Sequence, residues 1–132
     1  MLQTLTIKNV ALIEDLTIVF GPGLNVLTGE TGAGKSVILE ALELALGKRA
    51  TAEHIRTGAE RALVEAVFAV RAPAPACLAA AGIEPEEGFL FFCRELYRHG
   101  KSLCRINGRA VPLALCREAA EELIDFLTQG EQ

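Results

Sequence analysis

No Cys-x-x-Cys pair occurs in this sequence. The four cysteines, Cys77, Cys93, Cys104 and Cys116, stand apart, and neither His54 nor His99 sits at ligand spacing to them. A zinc site is therefore not expected. The thiols read instead as small apolar core residues in a reducing cytosol. No apolar run approaches the roughly 18 residues of a membrane helix. No basic segment followed by an apolar run opens the chain, so no signal peptide is expected and a cytoplasmic location is. A basic excess is also missing. The formal net charge is −4, which argues against a domain that wraps nucleic acid by itself, because phosphate binding favours a basic surface. A local basic patch remains compatible with that balance. Internal repeats and low-complexity linkers are absent as well.

What is there suits one domain. The chain has 132 residues, 51% of them hydrophobic and 23% charged, enough apolar material for a core and too mixed in charge for disorder. Residues 2–8 alternate, with Leu5 and Ile7 on one face and Thr4, Thr6 and Lys8 on the other, which predicts a half-buried strand. Residues 16–20 repeat the pattern and stop at Gly21-Pro22-Gly23, a strong turn signal. Residues 24–28 form a short apolar run compatible with a buried strand. A glycine-rich segment follows, and then Ile38, Ala41, Leu42, Ala45 and Leu46 fall at helical spacing, with Gly47 as a natural stop.

Further along, residues 48–60 mix charge and glycine and read as an irregular connection. Residues 62–70 predict a strand, residues 71–75 a break, and the alanines up to Ala81 a short helix. Residues 89–97 predict an apolar strand. Residues 102–111 predict a hairpin, because Asn107-Gly108 is a preferred pair for a tight primed turn. Pro112 opens a last helix running to about residue 126.

The strongest chemical signal is Gly29-Glu30-Thr31-Gly32-Ala33-Gly34-Lys35-Ser36, a complete Walker A pattern between a predicted strand and an amphipathic helix. Each residue type has a reason. The glycines let several backbone N–H groups point inward as an anion nest. The helix N-terminus adds its dipole. Lys35 is a mobile point charge able to reach β- and γ-phosphates, and the Ser36 hydroxyl can ligate Mg²⁺. Residues 29–37, with Val37 closing the segment, are thus expected to bind ATP with Mg²⁺. Lys35 is the catalytic candidate and Ser36 the metal ligand.

Hydrolysis needs an acid at the end of a second apolar strand, to hold Mg²⁺ and orient water. The nearest imitation, Phe89-Leu90-Phe91-Phe92-Cys93-Arg94-Glu95, is interrupted by Arg94. Leu123-Ile124-Asp125 is too short and lies in a helical pattern. With that acid missing and the chain stopping at Gln132, a fragment, or one half of a split site, is expected.

Several segments carry a family resemblance. Residues 5–14, Leu5-Thr6-Ile7-Lys8-Asn9-Val10-Ala11-Leu12-Ile13-Glu14, followed by Phe20-Gly21-Pro22-Gly23-Leu24, resemble the start of the RecN family of bacterial DNA repair ATPases. So do Leu27-Thr28-Gly29-Glu30-Thr31-Gly32 and the rest of the phosphate loop. Leu46-Gly47-Lys48-Arg49-Ala50, Ile55-Arg56-Thr57-Gly58 and Ile106-Asn107-Gly108-Arg109 look like the same family.

That family is similar to the SMC proteins, whose heads are built like ABC ATPases from the two ends of one long chain. The resemblance implies an α/β P-loop NTPase fold, as an ABC-ATPase-like N-terminal lobe with a β-rich subdomain. It implies that residues 1–132 are the N-terminal half of a head. The signature motif and Walker B would come from a C-terminal half. Two heads would sandwich ATP, and DNA would be engaged through the full-length protein in double-strand-break repair. No membrane partner is implied.

By position, the resemblance makes Gln129 a Q-loop residue, catalytic and near Mg²⁺, although the family's neighbouring histidines are missing from Leu127-Thr128-Gln129-Gly130-Glu131. It places Arg56 where an SMC-type arginine reaches toward nucleotide or DNA, with a solvated surface arginine as the plain alternative. It puts Lys8 and Asn9 near the base or phosphates, although Ala11 stands where an SMC-like arginine would. Residues 127–132 look faintly like an ABC signature, but a signature must open a helix facing a partner's γ-phosphate, and this reading is rejected. A self-contained small P-loop kinase is the alternative. It would use Glu95 or Asp125 as its acid and Arg94, Arg98 and Arg105 in a lid. A nucleotide-gated interaction module is the non-enzymatic reading.

Overall fold

Strict alternation of buried and part-buried residues along β3 (Arg61–Ala69) and β4 (Phe89–Tyr97) builds the central layer. Successive side chains of a strand point to opposite faces, so Ala62, Val64, Ala66 and Phe68 share one face with Leu90, Phe92, Arg94 and Leu96. The computed structural model describes residues 2–20, 32–70 and 74–130, with side chains of 32–35 and 124–130 set aside. On one side of the pair lies β1 (Leu2–Val10), hydrogen-bonded in turn to β2 (Ile13–Val19). On the other lie β5 (Ser102–Ile106) and β6 (Arg109–Val111). The result is a six-stranded sheet in the order β2-β1-β3-β4-β5-β6, with antiparallel neighbours throughout.

Helices cover one face of this sheet. Helix α1 (Gly32–Ala45) packs on β1, β3 and β4 and buries Ala41, Leu44 and Ala45. The two alanines let the helix approach closely, and Leu44 contributes about 1.5–3 kcal/mol by leaving water. Helix α3 (Leu113–Gly130) lies over β5 and buries Cys116, Ala119, Ala120 and Leu123. The short α2 (Ala76–Ala80) rests on α3. Phe68 meets Phe92 edge-on at 5.7 Å between ring centroids in the same core.

Two connections are fixed by backbone chemistry. Asn107 and Gly108 both have positive φ, 51° and 81°, as the primed turn between β5 and β6 requires. The Asn107 side chain then ties the turn down, accepting from Phe91 N–H at 2.7 Å and donating to Glu84 O at 2.7 Å. Gly47, at φ 107°, turns the chain away just past α1. A Cβ there would stand 3.0 Å from the Arg117 main chain.

Most expected elements lie where the sequence pattern puts them, with shifted ends: β2 begins at Ile13 and stops at Val19, before the expected residue 20, and α2 stops at Ala80. β1 runs on past Lys8 to Val10, and α3 runs past residue 126 to Gly130. The expected strand at 24–28 lies outside the described residues. The cysteines correct one expectation in part. Cys104 and Cys116 are buried core residues, but Cys77 and Cys93 are only half-buried. Cys93 alternates with Phe92 and Arg94, so it sits on the sheet face turned away from the helices.

Candidate nucleotide-binding site

Of the phosphate loop, Gly29, Glu30 and Thr31 lie outside the described residues. Gly32, Ala33, Gly34 and Lys35 form the backbone of the first turn of α1, and Ser36 and Val37 begin the second. That first turn carries no acidic side chain. No acid within that turn competes with an anion for the positive end of the helix dipole. Ser36 is exposed and opens on a surface concavity of about 310 Å³ shared with Val37, Leu39, Glu40, Glu43 and Lys48. An exposed hydroxyl just inside a helix that begins with a glycine-rich turn and a lysine fits a Mg²⁺-bound polyphosphate in donor type and position.

One flank of α1 joins this segment to other expected residues. Ser36 and Glu40 are four apart and share a helix face. The Glu40 carboxylate pairs with His54 Nε2 at 3.4 Å and Lys48 Nζ at 3.8 Å. His54 is held by a reciprocal cap on a short 3-10 turn: Thr51 Oγ1 accepts from Glu53 N–H, and Thr51 N–H donates to His54 Nδ1. From there residues 54–56 zip onto the end of β1. Ala11 N–H donates to His54 O at 2.9 Å and Arg56 N–H to Asn9 O at 2.8 Å.

The structure thus brings Asn9 and Arg56 together through their backbones. Asn9 and Ala11 take positive φ, 58° and 52°, to make that join. Lys8 is exposed on β1, opposite Asp15 of β2 and Leu63 of β3. Arg56 is half-buried, and its carbonyl accepts from Arg98 Nη2 at 2.9 Å. Gln129 falls in the last turn of α3, far along the chain from this cluster, and its side chain lies outside the description. Residues 127–130 close a helix rather than open one, which agrees with rejecting a signature motif there.

Sequence reasoning overlooked His54 and Arg94. The signal for His54 was present in the capping spacing Thr51-x-x-His54. Arg94 left only the clue that it broke an apolar run. It is the buried charged side chain among the described residues, 2% exposed. Its Nη1 donates to Leu44 O and Lys48 O, each at 2.8 Å, and its Nε to Ser102 Oγ at 3.1 Å.

Arg94 therefore clasps the C-terminal end of α1. It does not stand in an arginine lid with Arg98 and Arg105. Arg98 binds Ala59 O and Arg56 O, and Arg105 pairs with Glu95 at 2.7 Å on the other sheet face. Among the described residues, Cys77, Glu118 and Glu122 also bring ligand-type atoms within 4.8 Å of one another. The Glu122 carboxylate there already accepts the N–H groups of Ala76 and Cys77, which open α2.

Comparison with known proteins gives the family and the fold. Residues 4–69 match the family described as AAA domain, and the chain belongs to that family. Within it, the chain is similar to the DNA repair protein RecN. It is 47% identical to that of Halalkalibacterium halodurans, over 99% of this chain and 24% of the relative. It is 42% identical to that of Bacillus subtilis, over 99% of this chain and 23% of the relative. The chain thus spans about a quarter of the curated relatives it matches.

Among solved structures, one described in work on ATP-driven dimerization and DNA-stimulated activation of SMC ATPases superimposes with a TM-score of 0.72 at 21% identity. It covers 93% of this chain and 79% of that one. The fold is accordingly an α/β P-loop ATPase fold of the SMC type, with an antiparallel sheet beside the helix that carries the phosphate loop.

Proposed function

We propose that this chain is the ATP-binding, Walker A half of the head of a RecN-like DNA repair and recombination ATPase. One observation carries the reading. The likeness to RecN runs over 99% of the chain with the phosphate loop complete, and its Lys35 and Ser36 lie on the first two turns of a fourteen-residue helix. In this account the phosphate loop would cradle the phosphates with its N–H groups, and Lys35 would supply positive charge to the β- and γ-phosphates. The Ser36 hydroxyl would hold Mg²⁺, and Gln129 is the second residue assigned to the metal. Lys8, Asn9 and Arg56 line the flank toward the base. ATP binding draws two heads together. A C-terminal half of the same protein supplies the acid that completes hydrolysis, and DNA is engaged by the whole molecule.

Glu95 supports this over the self-contained kinase. It alternates with Arg94, whose side chain reaches α1, so the Glu95 carboxylate is on the opposite sheet face, engaged by Arg105 and by Tyr97 OH at 3.4 Å. An acid separated from the phosphate-loop helix by the sheet cannot hold its metal.

The test is calorimetric titration of ATP into the chain with and without Mg²⁺, beside Ser36→Ala. The account expects Mg²⁺ to tighten binding in the parent and not in the variant. Equal Mg²⁺ dependence in both would remove Ser36 from the metal site.

A further inference from the structure

Residues 51–56 form a strap between the flank of α1 and the end of β1. Its 3-10 turn, Ala52–His54, buries none of its residues, so apolar packing does not hold that turn in place. Polar contacts do. Thr51 N–H donates to His54 Nδ1 at 3.1 Å. A ring nitrogen that accepts leaves the proton of a neutral imidazole on the other nitrogen. His54 Nε2 therefore presents an N–H to Glu40 Oε2, 3.4 Å away, whether the ring is neutral or charged. The same carboxylate oxygen faces Lys48 Nζ at 3.8 Å.

The other end of the strap grips β1. Ile55, 4% exposed, bridges to Val10. On either side of Val10, Asn9 and Ala11 stand in the left-handed region at φ 58° and 52°. Asparagine tolerates that region, but alanine does not favour it. Such a residue persists there only where its surroundings over-determine it. The strap supplies two of the restraints: Ala11 N–H donates to His54 O, and Arg56 N–H to Asn9 O. His54 thus acts in two directions, its carbonyl on β1 and its imidazole on α1, where Glu40 lies one turn beyond Ser36.

We propose that His54 and Glu40 are positioning residues for nucleoside recognition. Their contact sets the Asn9–Arg56 flank against the helix that bears Ser36, so a ligand held by its phosphates meets that flank with its nucleoside. This rests on the nucleotide-site reading above. Neither residue touches the ligand. The grip of Lys35 and Ser36 on phosphate does not pass through His54. The pair therefore adds affinity for a nucleoside triphosphate and none for a bare polyphosphate.

The test is calorimetric titration of ATP and of inorganic tripolyphosphate, each with Mg²⁺, into the chain, His54→Ala, Glu40→Ala and the double variant. Each single variant is expected to bind ATP about fivefold more weakly, the scale of one coupled contact. Tripolyphosphate affinity stays at the parent value, which a general loosening of the fold would not allow. The double variant loses no more than either single one, because one contact is removed in all three. If His54→Ala does not fold, Glu40→Ala, on the helix surface, decides alone. Both ligands weakened together, neither ligand affected, or ATP losses that add in the double variant would overturn the proposal and leave the phosphate-loop reading standing. A parent chain that binds neither ligand ends both.

Discussion

Arg94 on β4 donates to the carbonyl oxygen of Leu44 on α1 at 2.8 Å, joining the sheet to the helix that begins with the phosphate loop. The same guanidinium satisfies Lys48 O and Ser102 Oγ. Replacing Arg94 by Met keeps the bulk and strands these acceptors. Hydrogen bonds to a charged donor are worth about 1.5–3 kcal/mol each, and relaxation recovers part of the loss, so destabilisation of roughly 2–4 kcal/mol is expected. Urea midpoints of parent and Arg94→Met measure it. A change within experimental scatter would mean the clasp does not hold α1.

Gly47→Ala introduces two penalties at once. Its φ of 107° is a conformation that side-chain-bearing residues avoid, and the new Cβ meets the Arg117 backbone at 3.0 Å, where nothing flexible can yield. A loss of roughly 2–4 kcal/mol follows from strain plus displacement of α3 from the end of α1. The mirror control is Gly100→Ala, also at positive φ (108°) but with nothing within 4 Å of the added atom. It should cost clearly less in the same thermal melt.

Glu122 makes stability depend on acid. The Cys77 thiol and the N–H groups of Cys77 and Ala76 bind its carboxylate and hold it below the ordinary value of 4.5, with burial opposing. A depressed acid stabilises the fold at pH values above its unfolded pKa, and that contribution disappears as pH falls through the folded one. Glu122→Gln is therefore expected to be less stable than the parent at neutral pH, with the gap closing below pH 4.5. Chemical denaturation at neutral pH and at about pH 3 compares the two ends of that window. A gap that stays constant would remove the carboxylate charge from the account.

For Glu95→Gln no change in nucleotide affinity is expected, because the sheet lies between this carboxylate and α1. A loss of affinity of tenfold or so, about 1.4 kcal/mol, would revive the self-contained kinase.

Much of the fold was legible because its signals are local. Alternation marked β1, β3 and β4, the spacing from Ile38 to Leu46 marked α1, and Asn107-Gly108 marked the last hairpin. Gly29-x-x-x-x-Gly-Lys-Ser marked the phosphate loop for the same reason: its chemistry is contained in consecutive residues. What stayed hidden depends on contacts between distant segments. Nothing near Arg94 in sequence tells that it ends on a carbonyl of the last turn of α1 and another just past that helix. It looked like a fault in an apolar strand, or part of a lid, until α1 was placed over β4. Cys104 and Cys116 enter one core only when α3 folds back over β5, which neither spacing nor composition encodes. The joining of Asn9 to Arg56 is likewise a backbone contact that pattern does not encode.

The central claim is that this chain binds ATP through Lys35 and Ser36 but does not carry a complete hydrolytic site. The direct measurement is ATP binding and steady-state hydrolysis with Mg²⁺ by the chain, beside Lys35→Ala. The account predicts negligible turnover in both proteins, with binding weakened at least about tenfold in the variant, by loss of the charge that reaches the β- and γ-phosphates. Robust turnover that disappears with Lys35 would contradict it, since a full active site would then lie within these 132 residues.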